Sequence, residues 1–103
     1  MFTSKSKGCE GVKWCFDPAV LADDKGNAYI YFGGGNDEEK YVQTGRVCKL
    51  KFEKGTGIVS PDGIPKTLNT FCFFEDGEIN QIDGKYIYSY CTNWDVKEDT
   101  PFP

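Results

Sequence analysis

Histidine is absent from the sequence. That removes Ser/His/Asp and Cys/His catalysis, His-bearing zinc sites and pH switching by imidazole together, and it leaves carboxylates to carry any acid–base chemistry. Long apolar runs are absent too. No stretch of 18 apolar residues offers a membrane-spanning helix, and the N-terminal "MFTSKSKGCEG" lacks the apolar core of a signal peptide. No window sustains helical periodicity. Positive charge is sparse: 12 Lys and Arg lie scattered against 16 Asp and Glu, for a net charge of −4. With no basic stripe, nucleic acid is a poor partner and a neutral ligand a better one. The five cysteines include no C-x-x-C pair, and an odd number makes a poor disulfide framework. They read as reduced, partly buried thiols that pack as small hydrophobes, with Cys9 and Cys15 the pair to test for a bridge.

Aromatic residues, by contrast, are abundant. Eight Phe, six Tyr and two Trp make up 16% of 103 residues, too many for a disordered tail. The length suits one small domain or part of one. Twelve glycines and five prolines separate short Val/Ile/Tyr/Phe runs, which is the pattern of an all-β chain with many turns.

Two stretches repeat at an offset of 58 residues, "WCFDPAVLADDKGNAYIYFGGG" from residue 14 and "FFEDGEINQIDGKYIYSYCTNW" from residue 73. Asp17 meets Glu75, Leu21 meets Ile79, Gly26 meets Gly84 and Phe32 meets Tyr90. Each copy reads as an acid, a short strand, a glycine turn and an aromatic, β-branched strand, which together form a hairpin. Between them lie "GRVCKLKF" (45–52), with Val47 and Leu50 among polar residues, and "TGIVSPDGIPKTL" (56–68), a short strand with a turn-rich link. One copy thus holds about four strands and the next is cut off after two. Four antiparallel strands repeating near every 50 residues are expected of a β-propeller blade. The expected architecture is a fragment of a five-bladed β-propeller, with residues 12–70 one blade and 71–94 the start of the next. In a propeller the first strand of each blade lines the axis, so Asp17 and Glu75 would share one pocket.

The stretch "FDPAVLADDKGNAYIYFGGG" resembles the second blade of family 43 glycoside hydrolases, and "FFEDGEINQIDGKYIYSYCTNW" resembles the start of their third. Within the family the likeness is to members acting on arabinoxylan side chains or xylo-oligosaccharides, of the α-L-arabinofuranosidase or β-xylosidase type. The resemblance covers most of residues 8–94. It implies that Glu75, in "FFED", is the general acid that protonates the leaving oxygen, and that Asp17, in "FDP", tunes the pKa of that acid and orients it. It implies plant cell-wall arabinoxylan or xylan as partner, and breakdown of polysaccharide by a microbe, outside the cell or on imported oligosaccharides. The family's third carboxylate, a general base on the first blade, has no match here. The central calcium of some members finds no identifiable ligand, so no cofactor is read.

The chemistry explains the need for carboxylates. Inverting hydrolysis places an acid and a carboxylate on opposite sides of the glycosidic bond, about 6.5–9.5 Å apart, with a water between one of them and the sugar. Free Glu titrates near 4.3, so an acid at position 75 must be raised to stay protonated at neutral pH. Burial beside Phe73 and Phe74 and a neighbouring Asp17 carboxylate both act in that direction.

Each assignment has an ordinary alternative. Asp17 also reads as a turn carboxylate before proline, and Glu75 as an exposed strand-end acid, which is the preferred reading for Asp76 and Glu78. Asp23 and Asp24 sit in "ADDKGN", without the spacing of an EF-hand loop, and read as a solvated hairpin turn. Trp14, Phe16 and Trp94 offer apolar faces for sugar rings, although most such residues in a β-rich chain are core. The "GGG" at 33–35 is no phosphate cradle, since no helix or Lys-Ser/Thr follows; it reads as a strand end leading into the polar loop "NDEEKYVQT". The rival to a glycosidase is a small β-rich carbohydrate-binding or interaction module without catalysis. In either case isolated blades expose unpaired edges, so association with the missing blades or with copies of the chain is expected.

Overall fold

The computed structural model describes residues 1–36 and 42–92, and these form an all-β structure with no helix. Trp94 and most of the polar loop after the glycine run lie outside the described residues. Seven strands follow in order: β1 (Ala19–Ala22), β2 (Ala28–Phe32), β3 (Arg46–Phe52), β4 (Val59–Pro61), β5 (Lys66–Thr67), β6 (Glu75–Ile82) and β7 (Lys85–Cys91). β1 to β4 form an antiparallel meander in chain order, β5 adds to β3, and β6 pairs with β7 in a separate hairpin.

The sheet has five strands rather than about four because the expected last strand is split. β4 pairs with the second half of β3 (Leu50↔Pro61), and β5 with its first half (Arg46↔Thr67). Between them stands "DGI" flanked by Pro61 and Pro65, neither of which can donate to a ladder, so the chain leaves the β3 edge and returns.

The two hairpins keep the turn glycines of the repeat in the same left-handed backbone, at φ 80° for Gly26 and 74° for Gly84, but they close differently. Asp83 and Gly84, both at positive φ, make the two-residue turn of a tight hairpin. The first hairpin needs five residues, organised by Asp23: its Oδ1 accepts from the Lys25 and Asn27 backbone N–H (2.9 and 2.8 Å) and its Oδ2 from Asn27 Nδ2 (2.9 Å). Those bonds, the Asn27 side chain first, hold the Asp23 carboxyl below the ordinary carboxylate range. A register shift between Glu75 and Glu78 absorbs the difference in loop length.

β3 buries Arg46, Cys48 and Leu50 on one face. Val47 and Leu50, the two apolar residues that stand out in the sequence, have opposite parity and cannot share a face of a strand. Arg46 can be buried because all three nitrogens of its guanidinium donate to carbonyls. Nε donates to Gly8 O (2.8 Å), Nη2 to Glu10 O (2.8 Å), and Nη1 to Gln43 O (2.6 Å) and Gly45 O (3.0 Å). It therefore ties the N-terminal segment to the start of β3. There Cys9, Val12 and Phe32 form a small core, closed by Phe2, Cys15 and Ile30, with the Phe2 and Phe32 rings stacked at 4.8 Å. A second apolar layer joins the sheet to the hairpin: Tyr31 and Tyr88 rings lie 5.6 Å apart, and Phe73 sits 6.3 Å from Tyr88 and 5.6 Å from Tyr90.

Candidate active site

The glycine run is the hinge of the site. On one side Trp14 N–H donates to Gly34 O (3.0 Å) and Gly33 N–H to Phe16 O (3.2 Å); on the other Gly35 N–H donates to Phe74 O (2.9 Å) and Asn36 Nδ2 to Phe73 O (3.0 Å). Residues 14–17 and 73–75 thus flank residues 33–36. Only glycine permits this spacing, because a Cβ on Gly34 would overlap the Phe16 ring and stand 3.1 Å from the Glu75 Cβ.

Glu75 is the first residue of β6, and at 6% exposure it is a buried carboxylate rather than a strand-end acid in water. Phe73, beside it in sequence, is fully buried, and Phe74 meets the edge of Trp14 at 6.4 Å. Phe74 N–H donates to Cys91 O (2.9 Å), and Glu75 pairs with Cys91, which fixes the head of β6 on β7. Asp76 and Glu78 are exposed.

Asp17 immediately precedes Pro18 and β1 and has a left-handed backbone, φ 49°. This is uncommon for any residue but glycine, Asn or Asp, and it breaks the alternation of the extended run before it. Asp17 lines an open cleft of about 730 Å³ between β1 and the β6–β7 hairpin, facing Val20, Asp76, Glu78, Asn80 and Ser89. The buried Glu75 lies next to this cleft in sequence but is not part of its lining.

Trp14 and Phe16 do not open into the Asp17 cleft. Their rings meet edge to face at 5.5 Å and line a different hollow, of about 530 Å³, together with Phe2, Thr3 and Lys13. Lys13 Nζ stands 5.2 Å from the centre of the Trp14 ring. Asn80 and Ser89 had no signal in the sequence beyond their alternation in β6 and β7, which turns them toward the cleft.

No protein-family model matches the chain. Curated relatives do. The chain is 38% identical over its whole length to an arabinoxylan arabinofuranohydrolase of Paenibacillus polymyxa, and 36% identical over 91% of its length to one of Bacillus subtilis. Among solved structures, it superposes over 97% of its length on a glycoside hydrolase family 43 arabinoxylan arabinofuranohydrolase from Bacillus subtilis in complex with cellotetraose, with TM-score 0.74 and 35% identity. This chain matches a segment of family 43 glycoside hydrolases. An α-L-arabinofuranosidase of Clostridium thermocellum agrees, with TM-score 0.70 and 33% identity over 92% of this chain. The family 43 segment is small: it spans 16% and 19% of the two curated relatives, and 22% and 29% of the two solved chains.

Proposed function

We propose that this chain is the part of an inverting arabinoxylan arabinofuranohydrolase that supplies the general acid, Glu75, and the carboxylate that orients and tunes it, Asp17. The observation that carries the reading is Glu75 itself, a buried carboxylate at the head of β6, held across the glycine run from the stretch that ends in Asp17. Support also comes from the matched relatives, which are named for release of arabinofuranose rather than xylose. In this reading the β1–β5 sheet is one propeller blade, residues 12–70, and β6–β7 opens the next, residues 71–94, in a ring of five.

The chemistry follows from the two carboxyls. Protonated Glu75 gives its proton to the glycosidic oxygen as the bond to arabinofuranose lengthens. Asp17, ionised, disfavours a second negative charge nearby and keeps that proton in place until the leaving oxygen takes it. A base outside this chain activates water on the opposite face of the sugar, which inverts the anomeric carbon. The 103-residue chain alone, without that base, hydrolyses nothing. Its exposed apolar side chains, among them Val20, Ile82 and Tyr86, are faces for the remaining blades or for other copies of the chain.

The test is Glu75→Gln in the complete protein. The rate on arabinoxylan should fall by about 10²–10⁴-fold. It should fall far less on a nitrophenyl arabinofuranoside, whose phenolate departs without a proton. An undiminished rate on arabinoxylan overturns the assignment, and release of the retained anomer, followed by NMR, overturns the inverting mechanism.

A second reading rests on the hollow at Trp14 and Phe16, where two partly exposed rings and Lys13 offer a stacking surface for a sugar. A binding module of this kind would hold arabinoxylan oligosaccharides with equal affinity before and after Glu75→Gln, and would lose it with Trp14→Ala.

A further inference from the structure

We infer that Cys9 and Cys15 form a reversible disulfide, a covalent clasp between the N-terminal segment and the run that leads into Asp17. The two residues share one apolar cluster: Cys9 is wholly buried with Val12 and Phe32, and Cys15 packs against that group. Both stand as free thiols within that one cluster.

The backbone on either side of each sulfur is already fixed. Arg46 holds the carbonyls of Gly8 and Glu10 around Cys9, both at 2.8 Å. The bonds from Trp14 N–H to Gly34 O (3.0 Å) and from Gly33 N–H to Phe16 O (3.2 Å) bracket Cys15. Two thiols brought together on held backbone raise the effective concentration of one for the other well above that in a free chain. Cys48 donates its S–H to Lys49 O and Gly63 O, and Cys72 is buried with its own left-handed backbone, φ 51°.

The oxidant is a low-molecular-weight disulfide such as oxidised glutathione. Cys15, half-buried and the more accessible of the two, attacks one of its sulfurs as thiolate, forms a mixed disulfide and releases one glutathione thiolate. Cys9 then attacks Sγ of Cys15 as thiolate and releases the second. Glutathione disulfide takes up two electrons, the protein pair gives up two, and the two thiol protons end on the two glutathiones. Burial first, and then the neighbouring Cys15, push the Cys9 thiol up to about 11 in the reduced pair; burial persists in the mixed disulfide, so the attack of Cys9 quickens as pH rises.

The experiment equilibrates the 103-residue chain in glutathione buffers of graded potential, alkylates the remaining thiols and cleaves after lysine. The expected product is residues 8–13 joined to residues 14–25 through Cys9 and Cys15, while Cys48 is recovered alkylated. The effective concentration of the pair should be at least about tenfold higher in native buffer than in 8 M urea. Recovery of Cys9 as the alkylated thiol at oxidising potential, pairing of Cys9 with another cysteine, or equal linkage in native buffer and in urea would each overturn the inference.

Discussion

The Cβ of Glu75 lies 3.1 Å from the point where a Cβ on Gly34 would stand, and the same point overlaps the edge of the Phe16 ring. Gly34 is therefore the spacer that lets the Phe16 and Glu75 runs approach the same strand end. Gly34→Ala should destabilise the chain by about 1–3 kcal/mol, the usual cost of overpacking a filled site. In the complete protein it should also lower kcat, because the displaced Glu75 is the proposed acid. Urea melts and initial rates check both, and a variant as stable as the parent would show that the contact is slack.

Asp17 has its left-handed backbone at a residue followed by proline, a combination that disfavours most side chains. Asn tolerates that backbone and β-branched residues do not. Asp17→Asn should leave stability within about 0.5 kcal/mol of the parent, while Asp17→Val should cost about 1–2 kcal/mol. Both should depress turnover of the complete protein. Such a result separates backbone strain from the carboxylate's role; equal stability of the two variants would remove strain from the account.

Tyr88 packs against Tyr31, Phe73 and Tyr90, and its buried hydroxyl has no hydrogen-bond partner among the described residues. A Cβ on Gly77 would run into that hydroxyl. Removing an unsatisfied buried polar atom is neutral or favourable, so Tyr88→Phe should keep stability or raise it by up to about 1 kcal/mol. Gly77→Ala should lower it by about 1–3 kcal/mol, and less on a Tyr88→Phe background. The double-mutant cycle tests the contact directly, and additive changes would mean that Gly77 and Tyr88 do not meet.

Much of this fold is legible in the sequence. Aromatic and β-branched runs of strand length, with "DDKGN" and "DG" between them, give both hairpins without any knowledge of packing. The less legible parts depend on distant residues. Burial of Arg46 follows from the carbonyls of Gly8 and Glu10, more than 30 positions away, and a charged residue at a strand start carries no local sign of that clasp. Likewise, burial of Glu75 follows from the approach of Gly34. A "GGG" after a strand reads as an ending, yet here it carries hydrogen bonds on both sides. Trp14 and Phe16 lie close to Asp17 in sequence but open into a separate hollow, because the left-handed backbone at Asp17 redirects the chain just where proximity in sequence would suggest a shared pocket.

Alkaline pH should unfold this protein by way of its buried acids. Burial raises Tyr88 from 10.0 to about 12 and Cys9 from 9.0 to about 11, and it raises Tyr31 as well. The folded chain holds these protons more tightly than the unfolded chain, so between the two sets of values it binds more protons, and stability falls as pH rises. Their contribution is complete below about pH 9 and is lost progressively as pH climbs through about 11 to 12. The urea midpoint should therefore be lower at pH 10.5 than at pH 8, and Tyr88→Phe should make the decline shallower. A midpoint that holds steady over that interval would mean that these phenols and the Cys9 thiol titrate no differently in the folded chain than in water, and one that rises would mean that the folded chain holds its protons less tightly.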